Sequence, residues 1–582
     1  MNILEESKSV QDPTVEAAFE ELKKSNFLAL FRAKQASLWK KEPANLAIIN
    51  KSLGWIDAPE TTAMSLGALR SFVLELGREE IESAVVLGMG GSSLCCEVFK
   101  ECFPHPNHKI RLEVLDSTSP EAVSALQKKL NLKKTMFIVS SKSGSTMEPN
   151  CFMDYFFSET QKVLGNKAPS RFIAVTDPKT SLEKKASQMR FRKIWPGNPN
   201  VGGRYSALTN FGIVPAAISG LNVEDILNRA RQIRATILSE NNPALNPATV
   251  LGAFLGANAR KGKDKLTLIL SPQYKAFGLW IEQLIAESTG KEGRGIVPII
   301  AEDGLSPKDI GSDRIFVGII DPQDNASADL IKKIKENGAS CLSYFIENPY
   351  ELSEQFFLWE AATATAGFLL GINPFDQPNV QAAKDLTVDI LSKAKKGRIA
   401  EEKPFLRSGE AQVFCDETLK EIILKSQKKP NWPLTDLLKI HLTRLKAGDY
   451  AVILAYAQPE AKIQKELELL RSFFSKTYHV PFALEFGPRY LHSTGQLYKG
   501  GGSGGLFLEI AFTRGKKLPI PGRPWGFETL IRAQALGDYS ALKSSGHRIL
   551  RLDFPADEFT AIKTVVQSLS SKILRSGQRH PQ

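Results

Sequence analysis

The chain of 582 residues is poor in cysteine and histidine. Its six cysteines are Cys95, Cys96, Cys102, Cys151, Cys341 and Cys415, with no framework spacing and no C-x-x-C pair. That pattern excludes a disulfide scaffold and fits a reduced, cytoplasmic protein. The seven histidines form no H-x-x-x-H and no cluster with the cysteines, so no metal site is expected. No apolar run approaches the roughly 20 residues needed to span a bilayer, so no membrane is expected as partner. The opening MNILEESKSVQDP is acidic and polar, unlike a signal peptide. There is no low-complexity tract. There is also no G-x-x-x-x-G-K-[ST] loop, which argues against nucleoside triphosphates.

Charge is plentiful, with a formal net value of +12. The lysines and arginines are nevertheless scattered among acids, as in KKIKENGAS and KIQKELELLRSF. Such stretches read as solvated helix faces rather than a phosphate-tracking stripe, so nucleic acid is not expected. A small anionic substrate accounts for the sign equally well.

The length allows three or four domains. Residues 1–50 read as an N-terminal helical segment, with TVEAAFEELKKSNFLALFRAK amphipathic at helical spacing. Strand and helix signals then alternate. SAVVLG (83–88), RLEVLD (111–116), TMFIVS (135–140) and RFIAVTD (171–177) make a first parallel-sheet domain over 51–235. KLTLILS (265–271), RIFVGIID (314–321) and ASCLSYFIE (339–347) make a second over 236–392. Residues 393–410 are charged and poor in apolar residues, as a linker is. A C-terminal α/β segment, 411–582, follows, with strands expected at 450–456, 481–487, 505–512 and 547–554. KGGGSGG (499–505) reads as a tight loop, because a strand begins at once after it.

Two loops stand where an open parallel sheet binds ligands, at the carboxyl ends of strands. SSKSGSTMEPN leaves TMFIVS and precedes a helix-like run. Thr146 looks like an N-cap, with Pro149 in the first turn, where its missing N–H costs nothing. Ser141, Ser143, Ser145 and Thr146 add hydroxyl donors to the free N–H groups of the helix start, a combination suited to a phosphate monoester. A serine-rich turn that merely caps and turns explains this stretch alone as well. The second loop, GMGGSS, carries Gly88, Gly90, Gly91, Ser92 and Ser93. It approaches the dinucleotide fingerprint, but Ser93 stands where the third glycine belongs. Asp116, ending the next strand, keeps a nicotinamide-dependent oxidoreductase open as an alternative.

Four later stretches carry a resemblance. NVGGRYSALTNFG (200–212), AESTGKEGRGI (286–296), GFLLGINPFDQPNVQAAK (367–384) and GPRYLHSTGQLYKGG (487–501) resemble signature segments of the glucose-6-phosphate isomerases. The late histidine segment, followed by IPGRPWGFETLIRAQALGD, is most similar to the isomerase half of the bifunctional transaldolase/glucose-6-phosphate isomerases. The resemblance runs from about residue 15 to about residue 555, and no segment looks like the transaldolase barrel. It implies two sugar-isomerase (SIS)-type α/β domains plus the C-terminal segment. Ala207, Asn379 and Gln381 depart from the family pattern beside the site positions rather than at them.

The implied reaction is aldose–ketose isomerisation of glucose 6-phosphate and fructose 6-phosphate through an enediolate, without a cofactor. Glu287 would be the base, and Arg204 would hold the enediolate charge. Lys384 and His492 would open the sugar ring. Gln377, seven residues before Lys384, would bind sugar or phosphate from the start of a helix beginning at Pro378. Ser92, Ser141, Ser143 and Thr146 would hold the phosphate, and Gly91, Lys142 and Gln283, the last one helical turn before the base, would also bind substrate. Lys142 and Glu148 would also orient the cradle loop. A homodimer is compatible with the resemblance. The rival from another class is a non-catalytic sugar-phosphate sensor.

Overall fold

The structure, a computed structural model, describes residues 12–573 apart from 105–109, 301–303, 308–309, 396, 401, 427–431, 503, 514 and 556. The N-terminal helical segment is therefore described only from residue 12. It begins with the helix Pro13–Lys24, whose Val15, Ala18 and Leu22 are buried at helical spacing.

Among the described residues three sheets form. The first holds β1 (Ser83–Leu87), β2 (Arg111–Leu115), β3 (Thr135–Ser140), β4 (Phe172–Thr176) and β5 (Lys193–Pro196), all parallel, in the order β2-β1-β3-β4-β5. β1, β3 and β4 are buried at every position, because helices cover both faces. The order reverses at β1, with β2 on one side and β3 on the other. The carboxyl ends of β1 and β3 thus flank a switch point, and both candidate phosphate loops leave from there.

The second sheet holds β6 (Lys265–Leu270), β7 (Val297–Ile300), β8 (Arg314–Ile320) and β9 (Cys341–Phe345), parallel, in the order β7-β6-β8-β9. The third holds β10 (Leu406–Ser408), β11 (Ala411–Cys415), β12 (Tyr450–Ala455), β13 (Phe482–Phe486), β14 (Gly505–Phe512) and β15 (Arg548–Phe554). Its order is β10-β11-β15-β14-β12-β13; β10 and β11 are antiparallel additions to a parallel core.

Every strand expected from hydrophobic runs is present, and four more appear. β5 is KIWP and β7 is VPII, each only four residues with a proline. Both are sheet edges, where a missing N–H leaves no ladder bond unmade. β10 lies inside 393–410, the stretch expected to be a linker. It pairs along β11 despite its charged surroundings.

One buried cluster joins the first two sheets and the N-terminal helices, from Val15 to Phe375. The C-terminal unit packs on both. Phe527 stacks on Phe152 at 5.9 Å between ring centroids and lies edge-on to Tyr155 at 5.7 Å, against the helix after β3. Leu497, Tyr498 and Tyr490 share a core with Ala286, Val297 and Ile299. These contacts fold the C-terminal unit back over the sheet ends, and they carry His492 inward.

Candidate active site

The loop after β3 turns sharply at Gly144, whose φ of +69° is left-handed. The helix Met147–Leu164 then begins, with Pro149 as its third residue. Thr146 occupies the N-cap position, yet its side chain makes no capping bond. Its Oγ1 instead accepts from Ser141 Oγ at 3.2 Å and lies 3.5 Å from Ser143 Oγ. The expected cap is therefore corrected: Ser141 draws the hydroxyl inward, and the helix's first N–H groups keep no side-chain cap from Thr146. Ser143 also meets Ser145 Oγ at 3.1 Å. Hydroxyls that bond chiefly to one another can exchange those bonds for phosphate oxygens.

Lys142, expected to bind substrate and to orient the cradle loop, has its ammonium engaged by protein groups. Its ammonium pairs with Asp177 and donates to the Asn198 carbonyl at 2.8 Å. Two acceptors on the far side of the loop claim it, so it ties the cradle to the stretch leading to Arg204. Burial pulls its pKa down, against the opposing charge of Asp177.

The loop after β1 forms a tight turn, Gly90–Ser92. A Cβ at Gly91 would lie 2.0 Å from the Gly203 carbonyl oxygen, and one at Gly90 only 2.7 Å from that of His492. The glycines let three chain segments meet here. Asp116, the residue that kept a nicotinamide-dependent oxidoreductase open as an alternative, holds Arg489 with both oxygens, at 2.8 and 2.9 Å.

Arg204 is 3% exposed and donates in three directions. Nε meets Ser288 Oγ at 2.7 Å; Nη2 meets the carbonyls of Pro374 at 2.7 Å and Asp376 at 3.0 Å; Nη1 meets Gln377 Oε1 at 3.0 Å. Nη1 also lies 3.6 Å from Glu287 Oε1. Glu287 lies in the last turn of the helix Lys275–Thr289, which buries Phe277, Trp280, Ile281 and Leu284. One turn earlier, Gln283 Nε2 donates to Glu287 Oε2 at 3.1 Å and to the His492 carbonyl at 2.8 Å. Gln283 Oε1 is buried without a partner, an acceptor left for a donor that enters.

His492 comes from the turn Arg489–His492 after β13, and its Nε2 lies 2.9 Å from Glu148 Oε1. Burial pushes Glu148 up, but the charges of the His492 ring and Lys384 and a backbone N–H more than offset it. The carboxyl ends below its ordinary range and stays ionised. A carboxylate only accepts, so Nε2 donates to Glu148 and Nδ1 is the ring nitrogen left over. Lys384 is exposed on the helix Gln381–Ser392 and acts on Glu148 through its charge. That helix begins later than expected: a short 3₁₀ turn, Pro378–Val380, separates Gln377 from it.

Two buried groups escaped the sequence reading. Lys291 is 1% exposed and donates to both the carbonyl and, at 2.7 Å, the carboxylate of Asp376. Its pKa is pulled down to about 8 by burial and by Arg204. A lysine just after Glu287 in a glycine-flanked turn was the available signal. Gln534 donates to Glu148 Oε1 at 2.7 Å, and nothing in its helical surroundings marks it.

The family model described as Phosphoglucose isomerase matches residues 74–300. Over that segment the chain is similar to the phosphoglucose isomerases. The match spans both phosphate loops, Arg204, Gln283 and Glu287, and stops before Gln377, Lys384 and His492. Proteins named glucose-6-phosphate isomerase from Leptospira interrogans and Bacillus anthracis are each 28% identical, over 59% of this chain and 87% of theirs. Among solved structures, a hypothetical protein from Thermus thermophilus matches with TM-score 0.55 and 23% identity, over 65% of this chain and 97% of that one. A glucose-6-phosphate isomerase from Chlamydia trachomatis matches with TM-score 0.52 and 18% identity, over 66% and 86%. These structural likenesses speak for the phosphoglucose isomerase fold.

Proposed function

We propose that the chain interconverts glucose 6-phosphate and fructose 6-phosphate by proton transfer through an enediolate. One observation carries the reading. Gln283 joins Glu287 to the His492 segment, while Arg204 pairs with the same Glu287. A carboxylate base, a fixed cation and a histidine–carboxylate pair thus converge from distant parts of one chain.

Each group has a task that its surroundings support. The hydroxyls of Ser141, Ser143 and Thr146, the loop at Gly91 and Ser92, and the start of the helix Met147–Leu164 hold the phosphate. His492, through Nδ1, and Lys384 move the protons that open the ring. Glu287 takes the proton from carbon 2 of the open-chain aldose and returns it to carbon 1. A positioned base contributes roughly 10²–10⁴ in rate. Arg204 meets the developing oxyanion through the Nη1 hydrogen not given to Gln377, on the side of Glu287, and its remaining donors are held by protein, so it needs no reorganisation. Oxidation at one carbon balances reduction at the next, so the reaction calls for no external redox partner.

No described helix is long and apolar enough to cross a membrane. We read the location as cytoplasmic, supported by six free cysteines. The test is a coupled assay: fructose 6-phosphate supplied, glucose 6-phosphate followed by its oxidation with an added dehydrogenase. Production without any cofactor added for the isomerisation is expected. No production across neutral pH would overturn the reading.

A further inference from the structure

The helix Phe527–Ser544 belongs to the C-terminal unit, yet it holds Glu148 and also the turn that carries His492. Gln534 on this helix is 2% exposed. Its Nε2 donates to Glu148 Oε1 at 2.7 Å, the same oxygen that receives His492 Nε2 at 2.9 Å. On its other side, Gln534 Oε1 accepts from the fully buried Thr118 hydroxyl at 2.6 Å. An ionised carboxylate can only accept, so the amide nitrogen must face Glu148 and its oxygen must face Thr118. One turn further along, Asp538 accepts from the Tyr490 hydroxyl and pairs with Lys499. Tyr490 stands two residues before His492.

We propose that Gln534 is a positioning residue for ring opening. It acts through Glu148, fixing which oxygen meets the His492 ring and sharing that oxygen's accepting capacity, without touching substrate. Buried amides of this kind hold a carboxylate in one rotamer, and so hold the ring that leans on it in one tautomer. The inference rests on the reading of His492 as a ring-opening group.

The experiment compares two substrates. Fructose 6-phosphate must open its ring; 5-deoxyfructose 6-phosphate has no hydroxyl at carbon 5 and cannot close a furanose ring. Gln534→Met, which keeps the volume but loses the amide, should lose about tenfold or more in kcat/KM on the first, part of the 10²–10⁴ a positioned acid–base group supplies. On the second it should stay within about twofold. The pH profile on fructose 6-phosphate should shift as well, because Glu148 loses a donor. Thr118→Val, which removes the hydroxyl holding the amide, should show a smaller split of the same sign and serves if Gln534→Met does not fold. Equal losses on both substrates, or no loss on either, would overturn the proposal. His492→Ala separates the two readings. If it shows the split while the Gln534 and Thr118 variants do not, only the positioning role fails. If His492→Ala shows none, the ring-opening reading itself falls.

Discussion

Arg204 and Lys291 enter the site from different turns and meet on one acceptor, the Asp376 carbonyl. Together they clamp residues 374–377 and so fix Gln377. Lys291 faces Arg204, which pushes its pKa down, and Asp376 and Glu287, which push it up; burial dominates, and the result is about 8. Below that pH the ammonium holds Asp376; above it, the clamp loses its charge. Activity should therefore fall through an alkaline limb near pH 8. Stability should move the other way. The unfolded lysine, near 10.4, binds its proton over a window where the folded one has lost it, so stability rises from about pH 8 to about pH 10.4. Lys291→Met should abolish the limb in kcat/KM; an unchanged limb would assign it to another group. Glu287, Arg204 and His492 were legible in the sequence because each stands in a motif of its own. The role of Lys291 was not, because it depends on turns more than eighty residues apart meeting, and no periodicity reports that.

The helices of the C-terminal unit decide geometry that local patterns cannot show. The helix Phe527–Ser544 lies so close to Gln381–Ser392 that a Cβ at Gly537 would sit 2.6 Å from Thr387 Oγ1 and 3.2 Å from the Ala383 carbonyl oxygen. Lys384 is the next residue on that second helix. Gly537→Leu should force the two helices apart and displace Lys384 and Gln534 together. A shift of about 1 Å costs on the order of 10²-fold in rate, and that is the expected loss in kcat. Melting should reveal a folded protein, since the overlap lies at one contact; full activity would show that the site tolerates movement of this helix. Strands were read correctly where apolar residues ran unbroken, as in β1, β3 and β12. They were missed where a proline or a charged setting broke the run, as in β5, β7 and β10, which pairing along a neighbour rescues.

The whole molecule brings its site together from three sheets in a single chain. Ser141 and Glu148 follow β3 of the first; Glu287 lies on the helix after β6 of the second; His492 follows β13 of the third. The sequence showed the three units and the loops at the strand ends. It did not show that the last unit lays Phe527 on the helix carrying Glu148, because such contacts join residues far apart in the chain. Glu287→Gln tests the central claim most directly, since it keeps the shape beside Arg204 and Gln283 and removes only the base. Turnover of fructose 6-phosphate and binding of a non-isomerisable sugar-phosphate analogue should be measured on the same preparation. The account predicts binding within a few-fold of the parent chain and turnover reduced by roughly 10²–10⁴; turnover near that of the parent chain, with binding intact, would contradict it.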